Sequence, residues 1–523
     1  MIIKLFFIVF ALSLTSCQMF FDAIDDKEYD VINLDGKNLS LVFSHNINGE
    51  THPCGCRHFP LGGLPQVAGQ LEKIRKKNKV IYIDTGDMFF PGVNVPKVIE
   101  KSQLYTASNV IQAVTDMGLS YLVPGDQDLA NGLPFFINTV KNKKIKVLIS
   151  NLVDNTKFPH KKWIKVEKGP HAIWLVGLVS PMVFPNQYRA LFKDPVKSLQ
   201  ETLKELKKEG YDEKSPFHRL VLLSHSGLNN DEKIAKEIPQ FDWIVGAHTS
   251  SFIRNPIPEG KTQIVQVLSR NHYLGEIEFK MDQDKKKDTY QIHEIRDELK
   301  DELKPNPYLA FIDKHKEELN KIQSSEQEVN IAPSDTPMNT ASSCLECHTD
   351  QAAHWQETSH SIAFATLVNA KEEKNMQCIG CHSVGLNQPN GYQNFHNIVR
   401  VKDKDKYWKD VKKAFGKIES VRALSKSQLK KHSTQWLKID QKHEVTQNYA
   451  NVQCLNCHNQ DGEHPFSVNV EQTKEQMQKN CLQCHNPDQS PEWYKKKENG
   501  LPGELDQKVY EKHLKAISCP KAK

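Results

Sequence analysis

The stretch Val80-Ile-Tyr-Ile-Asp84-Thr-Gly-Asp87 is a short apolar run that ends in two carboxylates. The same design recurs before and after it. Leu39–Ser44, Ile145–Ser150, Ala172–Val179, Arg219–Ser224, Trp243–Gly246 and Ile264–Leu268 read as strands. Leu64–Lys77, Leu104–Met117, Val196–Gly210 and Asp231–Ile238 read as amphipathic helices between them. Short apolar strands alternating with helices argue a layered α/β fold. The strand ends are polar: Ser44-His45-Asn46, Asp84-Thr-Gly-Asp87, Gly125-Asp126, Ser224-His225 and Gly246-Ala-His248. Loops at strand ends are where α/β folds place their sites.

Beyond this region the pattern changes. Cys344-Leu-Glu-Cys347-His348, Cys378-Ile-Gly-Cys381-His382, Cys454-Leu-Asn-Cys457-His458 and Cys481-Leu-Gln-Cys484-His485 repeat one spacing four times. This is the c-type haem attachment signature. Two thiols three residues apart reach the two vinyl groups of one haem, and the following His lies under the iron. A zinc site would not need a His after every pair, so four covalent haems are expected. Seven further histidines lie outside the motifs: His354, His360, His396, His432, His443, His464 and His513.

The chain has 523 residues, too many for one core. Hydrophobic residues are 38% and charged residues 25%, a globular balance. Lys and Arg number 69 against 64 Asp and Glu, a net of +5 that is no nucleic-acid signature at this length. Met1 to Cys17 holds one Lys, a short apolar run and then Leu14-Thr15-Ser16-Cys17, which reads as an export signal. Its end resembles a bacterial lipobox, which implies cleavage before Cys17 and acylation of that residue. Gln18 in place of Asp implies the outer membrane by that family's sorting rule.

Gly62-Gly63-Leu64, Asp84-Thr-Gly-Asp87, Pro124-Gly-Asp-Gln-Asp128, Leu223-Ser-His225-Ser-Gly227 and Asp242-Trp-Ile-Val-Gly-Ala-His248 follow one another in the order of a known family. They resemble calcineurin-like metallophosphoesterases, on the branch of the bacterial 5′-nucleotidases, over residues 37–300. The resemblance implies an αββα sandwich and a metal site at Asp87, Asp126, His225 and His248. It also exposes departures. The family's second metal takes an Asp-x-His pair and a final His, where this chain has Asn46-Ile-Asn48 and Ser250. The family's catalytic His falls on Gln127, which cannot do acid–base work. One divalent ion is therefore expected, and two-metal hydrolysis is not.

Residues 342–520 resemble the tetrahaem cytochromes c that accept electrons from hydroxylamine oxidoreductase. His354-Trp355…His360-Ser-Ile-Ala, Cys381-His382-Ser-Val-Gly385, Cys457-His458…Gly462-Glu-His464 and Cys484-His485…Ser490-Pro491 carry that likeness. It implies distal iron ligands at His360, His464 and His513. Three such ligands for four haems leave either one open haem or a fourth ligand among His396, His432 and His443. The Lys-rich stretch Val401–Lys442 stands between the second and third motifs as an insertion. It reads either as a solvated helical excursion or as a docking face for an acidic redox partner.

His52-Pro53-Cys54-Gly55-Cys56 is an addition to the phosphoesterase pattern. Cys54 and Cys56 are candidate catalytic thiols, and three readings compete. They are a strained, easily reduced disulfide, a reactive dithiol fed by the haems, or extra ligands that rebuild a metal site with His52 or His58. The expected organisation is a signal (1–16), a tether (17–36), the phosphoesterase-like domain (37–304), a helix and linker (305–341) and a mostly α-helical tetrahaem domain (342–520). The expected protein is exported, lipid-anchored on the periplasmic face of the outer membrane or at the cell surface, and served by periplasmic or membrane redox partners.

Overall fold

The computed structural model describes residues 29–31, 38–53, 60–141, 143–153, 158–168, 170–281, 283–326, 336–388, 390–418, 420–458, 474–486, 489–496 and 502–520. The chain divides into two compact units. The first holds Leu61–Val95 and Ala107–Tyr308 with the chain up to His52, and the second holds Pro96–Thr106 and the chain from Leu309 onward.

The first unit is an α/β sandwich of two sheets. Its strands are β1 (Tyr29–Val31), β2 (Leu39–Ser44), β3 (Lys79–Asp84), β4 (Leu119–Leu122), β5 (Lys146–Val147), β6 (Trp163–Lys168), β7 (His171–Val179), β8 (His218–His225), β9 (Trp243–Val245), β10 (Ile257–Glu259), β11 (Thr262–Val265), β12 (Tyr273–Phe279) and β13 (Thr289–Glu294). One sheet runs β1-β6-β7-β8-β9-β11-β10 and the other β13-β12-β2-β3-β4-β5. The central parallel strands are mostly apolar because both faces are covered. β7 is buried at every position.

Parallel register lines up the ends that matter. Ser44 lies opposite Asp84, and Asp84 opposite Leu122. Val179 lies opposite His225, and Leu223 opposite Val245. The loops that follow β2, β3, β4, β8 and β9 therefore leave the sheets at their carboxyl ends. Two contacts fasten the sheets to each other. The Trp243 and Tyr290 rings approach with centroids 6.5 Å apart. Arg219 donates from Nε and Nη2 to the two Asp288 oxygens at 2.7 and 2.8 Å, and both side chains are almost fully buried. A fork-shaped pair of this kind is fixed in direction as well as in charge.

Helices cover the outer faces. α1 (Leu64–Arg75) packs against β3. α2 (Pro195–Lys208) starts with Asp194 capping the Lys197 amide at 2.9 Å and Pro195 at its first position. It buries Leu199, Leu203 and Leu206 against Trp163, Trp174 and Leu220, and ends on Lys207 and Lys208. Cap, stripe and basic end are each what a helix requires. The sequence reading found most of these elements. It left out the short β1, β4 and β10, and also β6, β12 and β13, whose charged residues interrupt their apolar alternation (Lys165, Glu276, Glu278, His293).

The second unit is mostly helical. α3 (Pro307–Glu326) leads into it. The inserted stretch is two helices, α4 (Lys404–Phe415) and α5 (Lys426–Lys442), the latter opened by a Ser425–Gln428 capping box. The solvated excursion is thus half the truth. The inner faces bury Tyr407, Val411, Phe415, Leu429 and Trp436 in one core with Phe364, Leu367, Ile379 and Tyr449.

Candidate functional site

Asp87 stands just past β3, Asp126 just past β4, His225 ends β8, and His248 follows β9. One ligand atom from each lies within 4.8 Å of the other three. Asp126 Oδ1 is 3.0 Å from His225 Nε2 and 2.9 Å from His248 Nδ1. Asp87 Oδ2 is 3.5 Å from His225 Nε2. The sequence named these four residues, and the fold brings them together across the two sheets.

The backbone is shaped to do so. Asn46, Asn48, Asp87 and His248 all have positive φ, from 50° to 69°. Non-glycine residues held there mark a functional constraint. A side chain on Gly86, at φ +105°, would lie 2.6 Å from His225 Nδ1. Only glycine lets the loop approach the imidazole.

Asp128, which the sequence reading left unassigned, sets the frame. Its oxygens accept from the backbone amides of Asp87 (2.9 Å), Met88 (2.8 Å), Phe89 (3.0 Å) and Gly125 (2.8 Å). One carboxylate thereby holds the Asp87 loop and the Asp126 loop in register. Its signal in sequence was its place two residues past Asp126 in a turn that opens on glycine. His225 is aimed in turn by Nδ1, which donates to the Thr85 carbonyl at 2.7 Å. That bond puts the proton on Nδ1 and directs Nε2 at the carboxylates. His45, also unassigned, is a fixture. Its Nε2 accepts from the Val267 amide at 2.8 Å, and burial lowers its pKa to about 4.

Electrostatics match a cation site. Burial pushes the Asp87 carboxyl upward, to about 7. Burial opposes charge on His225 as well, but the Asp87 and Asp126 carboxylates outweigh it and raise His225 to about 9. Burial opposes charge on Asp126 also, yet hydrogen bonds from His225 and His248 hold it low. Asp87 Oδ2 is buried with no hydrogen-bond partner among the described residues. Two carboxylates, two imidazoles and an unpartnered carboxylate oxygen fit one divalent transition ion.

A second ion finds no such set among the described residues. The Asn46 amide donates to the His248 carbonyl at 3.1 Å, and its oxygen is 3.1 Å from His45 Nδ1. Ser250 is exposed. Gln127 donates its backbone amide to Asp87 Oδ1 at 3.0 Å, which is a scaffold role. Cys54, Cys56, His58, His464 and Cys17 lie outside the described residues.

In the second unit the first cysteine of each motif lies in a helix, and none of the eight motif cysteines is in a disulfide. The Cys454 thiol donates a hydrogen bond to the Cys344 sulfur, and the Cys484 thiol donates one to Cys381. The first and third motifs are thus neighbours, as are the second and fourth. His382 Nδ1 donates to the Ala363 carbonyl at 2.7 Å, so its Nε2 carries the lone pair an iron needs. The His360 and His485 rings lie 6.4 Å apart. Trp493 is stacked between His485 (4.2 Å) and His513 (4.9 Å), which keeps those two histidines on opposite faces of the indole. His443 is held by Asp410 at 2.8 Å and His432 lies beside the Phe415 ring.

Comparison with known proteins follows the same division. The family described as cytochrome c554 and c-prime matches residues 343–405, which contain the first two motifs. The first half is similar to curated 5′-nucleotidases. That of Mus musculus is 22% identical over 253 residues, covering 42% of this chain and 41% of that protein. That of Rattus norvegicus is 23% identical over 254 residues, with the same coverage. The chain thus spans less than half the length of the curated relatives it matches. A solved 5′-nucleotidase precursor from Thermus thermophilus aligns at 18% identity and a TM-score of 0.45, over 57% of this chain and 61% of that one.

The site generates a binding prediction. His225 must lose a proton to ligate, so manganese affinity measured by calorimetry on the metal-stripped protein rises with pH from 6 toward about 9. Asp128→Asn, which disturbs only the frame, weakens it by about 10- to 100-fold. His225→Ala weakens it further, and the pH dependence that remains is that of Asp87, whose carboxyl burial holds up at about 7.

Proposed function

We propose that this chain is an exported, lipid-anchored electron carrier, in which a tetrahaem cytochrome is joined to a metallophosphoesterase-like unit that holds a single divalent ion. The observation that carries it is the fourfold motif whose eight cysteines form no disulfide, with His382 of the second motif already turned so that its basic nitrogen faces away from the Ala363 carbonyl. Cys344/Cys347/His348, Cys378/Cys381/His382, Cys454/Cys457/His458 and Cys481/Cys484/His485 would hold the four haems. Haem iron supplies one-electron chemistry when bound. His360, His464 and His513 are the distal ligands in this reading. The His360 and His485 rings lie 6.4 Å apart, and in this reading those two would hold one iron.

In the first unit Asp87, Asp126, His225 and His248 would hold the ion. Cys54 and Cys56 are proposed as its redox partner to the haems. Oxidising the two thiols to one disulfide releases two electrons and two protons, and the electrons reduce two ferric haems. Cys17 anchors the protein to the outer membrane, facing periplasmic or membrane-bound carriers. No nucleic-acid role is proposed.

The curated relatives favour one other reading, a metal-dependent phosphoesterase tethered to a cytochrome. Against it stand Asn46, Asn48 and Gln127 where hydrolysis by two ions needs acid, imidazole and a proton donor.

Two measurements separate these. Reductive titration of the oxidised full-length protein with titanium(III) takes up six electrons per chain, and the Cys54→Ser/Cys56→Ser variant takes up four, one per motif. Equal uptake would remove the thiol pair from the scheme. With manganese present, the full chain hydrolyses 5′-AMP below ~1 s⁻¹, the low end of ordinary enzymes. Faster turnover would establish the phosphoesterase.

A further inference from the structure

Charge in this chain is segregated. Residues 401–442 carry thirteen Lys and Arg against five Asp and Glu, a net of +8 in a chain whose net is +5. The other residues together therefore carry −3. The basic side chains occupy the outside of the α4–α5 hairpin. Lys406, Lys409 and Lys413 follow one another along the exposed face of α4, and Lys417 continues the row. Lys409, Lys413, Lys417, Arg422, Lys426, Lys431 and Lys438 have no ion-pair partner among the described residues, whereas Lys412, Lys430 and Lys442 are matched to Glu373, Glu357 and Asp410.

The other side of the hairpin is aromatic and leads inward. Trp408 lies against Phe395 (4.9 Å) and Phe364 (5.6 Å), and Trp436 against Phe415 (4.6 Å) and Phe364 (6.4 Å). Phe364 directly follows Ala363, whose carbonyl orients His382 of the second motif. The basic face of the hairpin thus backs onto a layer of packed rings that leads to the second haem attachment motif.

We propose that the outer face of the α4–α5 hairpin is the docking surface for an acidic one-electron carrier protein. A solvated lysine face would need no segregation of charge and no attachment motif beneath it. Complementary charge raises encounter rates by roughly 10- to 1,000-fold and fixes orientation, with affinity that falls as salt rises. The inference rests on haem loading of the C-terminal unit, but the surface is tested by binding, not turnover.

The test uses the full-length protein, its haem content checked by absorbance, and oxidised flavodoxin as the acidic probe in calorimetry. The expected result is binding at low ionic strength that weakens more than ~10-fold in ~0.3 M salt, where such contacts are screened. Lys409→Glu/Lys413→Glu/Lys417→Glu weakens it at least ~10-fold at low salt, whereas Lys508→Glu/Lys512→Glu on the C-terminal helix does not. Unchanged binding by the triple variant overturns the proposal. So does a wild-type protein that ignores flavodoxin but binds phosphatidylglycerol vesicles through the same lysines, which would make the face a membrane contact. Absent haem absorbance would instead contradict the proposed function.

Discussion

Asp126 Oδ1 lies between His225 Nε2 and His248 Nδ1, at 3.0 and 2.9 Å, and this shared oxygen closes the sandwich. Asp126 follows β4 of one sheet, while the two histidines come from β8 and β9 of the other. Two buried ionisable groups and a half-buried one, at the strand ends, are costly unless paired. The fold offsets that cost with Thr85 on His225 and with Asp128 on both carboxylate loops. The site is therefore held by its frame, and Asp87 keeps one unpartnered oxygen in the middle of it.

The same geometry explains why one half of the site resembles a hydrolase and the other does not. Asn46 and Gln127 are not vacant replacements for acid and imidazole. Asn46 ties the β2 loop to the His248 carbonyl, and the Gln127 backbone fixes Asp87. The Asn46 side chain and the Gln127 backbone keep the loops in place, and neither residue brings a charge to the site. The ionisable groups of the site are committed to holding a cation.

Much of this was legible in sequence because it depends on order and spacing. The strand ends at Asp84–Asp87, Ser224–His225 and Gly246–His248 announced the site, and the fold joins them because parallel strands deliver their carboxyl ends to one edge. The four motifs were legible because the attachment signature they match is a fixed local spacing. What stayed hidden depends on tertiary contact. The role of Asp128 is four backbone amides, which no side-chain pattern encodes. The hairpin's inner face, Tyr407, Val411, Phe415 and Trp436, was masked by the lysines interleaved with it. The pairing of first with third motif and second with fourth joins residues far apart in the chain, Cys344 with Cys454 and Cys381 with Cys484.

Two halves with separate chemistries in one chain make metal content the decisive quantity. Elemental analysis of the purified full-length protein gives four irons, one for each attachment motif. The account predicts one further divalent ion per chain, lost together with Asp126 and His225 in an Asp126→Ala/His225→Ala variant that keeps its iron. Two further ions per chain, or one that survives that variant, would contradict a single-ion site built on Asp126.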